Sequence, residues 1–282
     1  MTELKNMVSA EWLSTHLKDP NIKIVDGSWY LPQQNRDPLA EYAAEHILGG
    51  VFFDLDAISD PSTDLPHMMP NNELFSSAVG SLGISNQHHV IVYDGLGLMS
   101  AARIWWMFKV FGHKNVSILN GGLPAWKAID GELSSDLTEI EPMAYNALLD
   151  IVRVASWQDV AKSVGEKNTQ ILDARSADRF AGRAPEPRAG LKGGHITDSF
   201  NLPFQKLLGD GGKLKSASEL RSAFEKSGID LSKPVITSCG SGVTAAILTL
   251  GLDELDHLDN KVYDGSWAEW GARAETEKLI EP

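Results

Sequence analysis

The chain carries the same run of residues twice. Ile24-Val25-Asp26 returns as Ile171-Leu172-Asp173, and His46-Ile47 returns as His195-Ile196. Val90-Ile91-Val92-Tyr93-Asp94-Gly95-Leu96-Gly97 returns as Val235-Ile236-Thr237-Ser238-Cys239-Gly240-Ser241-Gly242, and Asn120-Gly121 with Trp126 returns as Asp264-Gly265 with Trp270. The spacings from Asp26 to Asp173, His46 to His195, Asp94 to Cys239 and Asn120 to Asp264 are 147, 149, 145 and 144 residues. Chance likeness between two α/β segments explains one such match, not four in order. A period this long is a whole domain, far beyond a solenoid unit. The 282 residues are therefore read as an N-terminal domain over 1–134, a linker over 135–153 with no strong periodicity, and a C-terminal domain over 154–282.

Within each half, short β-branched runs alternate with helical patterns. Strands are predicted at Ile22–Asp26, Val51–Phe53, His89–Tyr93, Val116–Leu119, Gln170–Asp173, Phe200–Leu202, Val235–Thr237 and Lys261–Tyr263. Helices are predicted to start at the caps Ser9 and Asn71, and at the capping boxes opened by Ser156 and Ser216. Such alternation gives an open, mostly parallel sheet flanked by helices in each half, an α/β fold. Asp60–Pro70 reads as a Pro- and Ser-rich loop. Arg175–Gly194 reads as a long loop rich in arginine, glycine and proline, and so long a structureless stretch in a compact domain is usually functional. The Trp105-Trp106 pair is assigned to the core or the domain interface.

The two halves diverge at one chemically important point. Cys239, the single cysteine of the chain, stands where the first half has Asp94, and a carboxylate there cannot act as a sulfur nucleophile. Cys239 ends a buried strand pattern, precedes Gly240-Ser241-Gly242-Val243-Thr244 and sits just before a helix-forming run, Ala245 to Leu250. Glycines let a backbone turn tightly enough for successive N–H groups to face one atom, and the following helix adds its positive end. Both favour a thiolate over a thiol. A single cysteine makes no internal disulfide and no multi-cysteine metal site; nucleophilic chemistry on a thiolate requires no metal or organic cofactor, and none is expected. The net charge of −13 argues against nucleic acid or an anionic membrane as partner. The first residues lack the apolar core of a signal peptide, and no apolar run reaches the ~20 residues of a membrane helix. The expectation is a cytoplasmic protein.

With these motifs in hand, the chain resembles the rhodanese family, and within it the tandem-domain sulfurtransferases. Cys239-Gly240-Ser241-Gly242-Val243-Thr244-Ala245 looks like the active loop of the 3-mercaptopyruvate enzymes. The resemblance implies two rhodanese-like domains, the first inert and the second catalytic, and a persulfide formed on Cys239. It implies 3-mercaptopyruvate as donor, a thiophilic acceptor such as cyanide, a small thiol or thioredoxin, and release of pyruvate. Gly240, Gly242, Val243 and Thr244 would line the substrate site. Arg179 and Arg188 match the substrate-carboxylate arginines, and guanidinium forks suit an α-keto carboxylate. The resemblance also implies a proton relay of Ser241 with His46 and Asp37. Asp94 with Arg103 then reads as the inert counterpart loop. The sequence departs from the family's His-Ile-Pro-Gly pattern at Leu48 and at Thr197-Asp198, a change of turn chemistry.

Three other readings compete. Thiosulfate is a dianion that benefits from cations in the loop, and this loop has none. A cysteine phosphatase would need arginine where Ala245 stands. The third is a non-catalytic persulfide carrier or interaction module; a pure binding role would tolerate Cys239→Ser, and an enzyme would not.

Overall fold

The computed structural model describes residues 4–166 and 168–282, and it builds both halves on the same strand order. In the first half five parallel strands run in the spatial order Met7–Val8, Val116–Leu119, His89–Tyr93, Ile22–Asp26, Val51–Phe52. In the second half the equivalent order is Val154–Ala155, Asn260–Tyr263, Val235–Ser238, Gln170–Asp173, Phe200–Asn201, again all parallel. The duplication read from the sequence is thus a duplication of topology. His89–Tyr93 and Val235–Ser238 are the central strands, and each delivers its next residue, Asp94 or Cys239, at its carboxyl end. In open parallel sheets that is where ligands bind.

The helix starts expected from capping chemistry are present. Ser9, Asn71 and Ser156 accept N–H groups of their first turns, and Ser156 and Ser216 form capping boxes with Asp159 and Glu219. Each small strand pair at the rim carries one of the repeated histidines: His46–Ile47 pairs with Leu133–Ser134, and His195–Ile196 with Ile280–Glu281. The Arg175–Gly194 stretch is not wholly a loop. A short helix, Ala177–Phe180, forms inside it because Ser176 accepts the Arg179 N–H.

The two halves meet through helices that have no polar face. Ala101–Val110 is buried except at Lys109, and every residue of Ala245–Glu254 is buried. A helix that is apolar all round must be covered on all sides. These two pack on each other as well as on their own sheets, so one apolar cluster runs from Val25 and Phe75 through Trp105 and Trp106 to Leu248 and Val262. The polar end of the second helix adds a tie, since the Glu254 carboxylate accepts the N–H groups of Lys5 and Asn6.

A core shared in this way couples the unfolding of the halves. Calorimetry is expected to show a single unfolding endotherm, and two separated endotherms would contradict the shared core. Leu248→Ala is expected to cost about 2–5 kcal/mol and to lower that one transition without splitting it.

Candidate active site

The cleft between the halves holds about 320 Å³ of open space, and Cys239 lies on its wall. Gly240, Ser241, Val243, Thr244, Arg179 and Arg188 line it from the second half, and Trp29, Leu31, Leu96 and Met99 from the first. Cys239 itself is 1% exposed, so its sulfur meets solvent only through this cleft.

The loop around Cys239 is anchored from behind. The Ser266 hydroxyl accepts the N–H groups of both Cys239 and Gly242 at 3.1 Å. Trp267 and Ala268 donate their N–H groups to the carbonyls of Cys239 and Gly240. The ring of amides expected around the sulfur is therefore incomplete, because two of its members face Ser266. Among the described residues, the N–H groups of Gly240, Ser241, Val243 and Thr244 make no backbone hydrogen bond. The first half shows what such a loop does with an anion. There the Asp94 carboxylate accepts the N–H groups of Leu96 at 2.9 Å, Met99 at 2.6 Å and Ala101 at 3.0 Å. Leu96 and Met99 are the repeat partners of Ser241 and Thr244. Of the three equivalent amides in the second half, those of Ser241 and Thr244 make no backbone hydrogen bond, while that of Ala246 donates to the Val243 carbonyl. Gly242 has φ +76°, and an added Cβ would stand 2.8 Å from the Asp264 carbonyl oxygen. Gly240 leaves room for a guanidinium, since a Cβ there would lie 2.9 Å from Arg179 Nη2.

The arginines divide into three roles. Arg175 is a strut. Its guanidinium is buried on Asp173 and Glu186, donates to the Gly194 carbonyl, and stacks 4.1 Å from the Trp267 ring centroid. Burial pulls its pKa down, but the Asp173 and Glu186 carboxylates outweigh that and hold it above the ordinary arginine value. Arg183 pairs with Asp178 at the surface, away from the cleft. Arg179 and Arg188 reach the cleft, as expected from the sequence. Arg179 is oriented by the buried Glu186 carboxylate at 2.5 Å. Arg188 has no carboxylate partner within 4.0 Å among the described residues. Desolvation pushes its pKa down, negative charge on Cys239 draws it back up, and the nearby Arg179 cation pushes it down again.

The structure corrects the expected proton relay. Asp37 caps the helix Pro38–Ala44 by accepting the Ala40 N–H. His46 hydrogen-bonds the Tyr42 carbonyl at 2.8 Å and stacks on the Tyr42 ring, fully buried under the first domain's rim. Neither residue lines the cleft. A different histidine meets Ser241. His67 Nδ1 is 3.1 Å from Ser241 Oγ, and His67 Nε2 is 3.0 Å from Asp56 Oδ1. The Trp29 indole N–H donates to the other Asp56 oxygen at 3.1 Å, and the Trp29 ring packs edge-on against His67. The His67 hydrogen bond holds the Asp56 carboxyl below the usual carboxylate range against burial, with help from His67 charge, Trp29 and Arg188.

Both missed residues lie at or beside the Asp60–Pro70 loop. Two signals in the sequence marked it: a long stretch without periodicity, and a histidine where the repeat places Gly212. Arg103 also leaves its expected role, since it donates to the Gly242 carbonyl and belongs to the active loop's surroundings.

Comparison with known proteins agrees with this construction. The Rhodanese-like domain model matches residues 9–129 and 156–273. The mouse 3-mercaptopyruvate sulfurtransferase is 42% identical over 97% of this chain and 94% of its own length. A mitochondrial thiosulfate/3-mercaptopyruvate sulfurtransferase of Arabidopsis thaliana is 41% identical over 95% of this chain and 76% of its own length. The crystal structure of SseA, a 3-mercaptopyruvate sulfotransferase from Escherichia coli, superposes with a TM-score of 0.86 at 41% identity, covering 93% of this chain and 98% of that one. No helix among the described residues is long and apolar enough to cross a membrane. With two matching domains and similarity to sulfurtransferases over nearly its whole length, the chain belongs to the rhodanese family and is a sulfurtransferase.

Proposed function

We propose that the enzyme takes sulfur from 3-mercaptopyruvate, holds it as a persulfide on Cys239, and passes it to a thiophilic acceptor such as cyanide, a small thiol or thioredoxin. The observation that carries this reading is the unpaired Arg188 guanidinium in the same cleft as Cys239, beside an Arg179 already oriented by Glu186. A planar α-keto carboxylate suits two such forks. The neutral Gly240-Ser241-Gly242 turn offers no further cation for a dianion such as thiosulfate.

In this mechanism the Cys239 thiolate attacks the sulfur of the bound donor. The new S–S bond forms as the C–S bond breaks, and the bonding pair stays on carbon as the enolate of pyruvate. The proton of the donor thiol ends on that carbon, giving pyruvate, so charge and atoms balance. Ser241 and His67 carry the proton, and Asp56 orients the imidazole. Asp56, an acceptor only, keeps a proton on His67 Nε2, which leaves Nδ1 free to accept from the Ser241 hydroxyl and to return the proton. The persulfide charge is then held by the Ser241 and Thr244 amides, in the way Asp94 is held in the first half. The acceptor attacks the outer sulfur and restores the thiolate. Two half-reactions through one covalent intermediate give ping-pong kinetics. The chemistry uses side chains and main-chain amides alone.

Incubation with 3-mercaptopyruvate is expected to leave the protein one sulfur atom heavier by intact mass, with one pyruvate released per chain. Cys239→Ser is expected to abolish both, and an unchanged mass of the wild type would reject the persulfide. Arg188→Ala removes a charged hydrogen bond of about 1.5–3 kcal/mol, so kcat/KM for mercaptopyruvate should fall roughly 10- to 100-fold. Wild-type kinetics in that variant would remove Arg188 from the carboxylate site. His67→Asn is expected to lower kcat by about 100-fold or more, whereas a relay of no consequence would leave pyruvate release at the wild-type rate.

A further inference from the structure

Arg103 sits in the chemically inert half, on the buried helix Ala101–Val110, yet its guanidinium reaches the active loop of the other half. It is fully buried and lies over the Trp106 ring. Nη2 donates to the backbone carbonyl of His67 and, at 2.6 Å, to Asp264 Oδ1. Nη1 donates to the Gly242 carbonyl at 3.4 Å. The second Asp264 oxygen accepts the Met69 N–H at 2.7 Å. One ion pair thus clamps the chain from the His67 carbonyl to the Met69 N–H, together with the turn that follows Ser241.

His67 needs such a clamp. Its φ is +60°, a left-handed conformation that a residue with a side chain adopts only when its surroundings enforce it. The duplication supplies a comparison inside the molecule. The repeat partner of His67 is Gly212, also left-handed at φ +70° but with no side chain to aim. The partner of Met69 is Leu214, whose N–H goes to Asn120, the partner of Asp264. The partner of Arg103 is Leu248, buried in the shared core. The pseudo-symmetric turn, which the second half places beside the Asp94 loop, is therefore made with a glycine and a neutral Asn–Leu set. Only the turn with a histidine at the left-handed position, contributed by the first half, is held by the Arg–Asp pair.

From this we infer that Arg103, with Asp264, is a positioning residue for sulfur transfer. The pair fixes the His67 peptide so that the ring stands between Ser241 Oγ and Asp56. The inference rests on the relay of Ser241, His67 and Asp56 given above. It assigns a catalytic consequence to the inert half and explains why its helix carries a buried guanidinium.

The test installs the residues that surround the pseudo-symmetric turn, Arg103→Leu with Asp264→Asn, alone and together with His67→Asn, in the full-length enzyme. Pyruvate release from 3-mercaptopyruvate is followed with cyanide as acceptor. Displacing a proton-transfer group should lower kcat by about 10-fold or more, while KM stays within about 3-fold because Arg179 and Arg188 are untouched. On the His67→Asn background the same pair of changes should cost less than about 3-fold, since Arg103 acts through His67. A wild-type kcat for the Leu–Asn pair would overturn the inference. So would an equal loss with and without His67, which is what a purely structural role gives. Should the Leu–Asn enzyme fail to melt cooperatively, Arg103→Lys decides. Its single ammonium keeps the charge against Asp264 but cannot fork across two carbonyls, so kcat should still fall, and full activity would overturn the proposal. A wild-type kcat in His67→Asn alone would refute the relay itself. A slow His67→Asn beside a fast Leu–Asn enzyme would refute only the role of Arg103.

Discussion

Two helices without a polar face hold this protein in its working arrangement. Ala101–Val110 and Ala245–Glu254 cannot face water on any side, so each half must cover the helix of the other. Burying an aliphatic or aromatic side chain is worth about 1.5–3 kcal/mol, and the pair contributes many such side chains. The docking of the halves is therefore part of the fold rather than an encounter between finished domains. The active site depends on that docking. Cys239, Ser241, Arg179 and Arg188 come from one half, while Trp29, Asp56, His67 and Arg103 come from the other.

Duplication explains how such a site can exist. One topology built twice gives two loops at the carboxyl ends of two central strands. In the first, the Asp94 carboxylate fills the cradle of amides permanently. In the second, Cys239 stands in place of that carboxylate, and the equivalent N–H groups of Ser241 and Thr244 make no backbone hydrogen bond; in the proposed mechanism they receive the charge of the transferred sulfur. The first half then supplies shape, a hydrogen-bonded carboxylate–imidazole pair and a buried guanidinium.

Much of this was legible in the sequence, and the misses have a common cause. Caps such as Ser9, Asn71 and Ser156 are local hydrogen bonds, so a few adjacent residues determine them. Strand runs such as His89–Tyr93 are legible because parallel strands buried on both faces read as continuous apolar runs. The Cys239 loop is also local, with its glycines and the following helix start in one stretch. The relay is not local. Ser241 and His67 lie 174 residues apart, and only the helix packing brings them together. His46 drew attention because it repeats as His195, but a repeated residue marks what both halves share. Here that is a histidine bonded to a backbone carbonyl at each rim, Tyr42 for His46 and Phe180 for His195. The proposed chemistry lies where the halves differ: Cys239 against Asp94, His67 against Gly212, and Arg103 with Asp264 against Leu248 with Asn120.

The central claim is that the Cys239 loop is an anion cradle left open for transferred sulfur. The most direct measurement is a crystal structure of the enzyme after reaction with 3-mercaptopyruvate in the absence of an acceptor. The account expects one additional sulfur on Cys239 Sγ, within hydrogen-bond reach of the Ser241 and Thr244 N–H groups, in the position the Asp94 carboxylate takes in the first half. An added sulfur directed away from those amides, or an unmodified Cys239 in a structure holding the intact donor elsewhere, would contradict it.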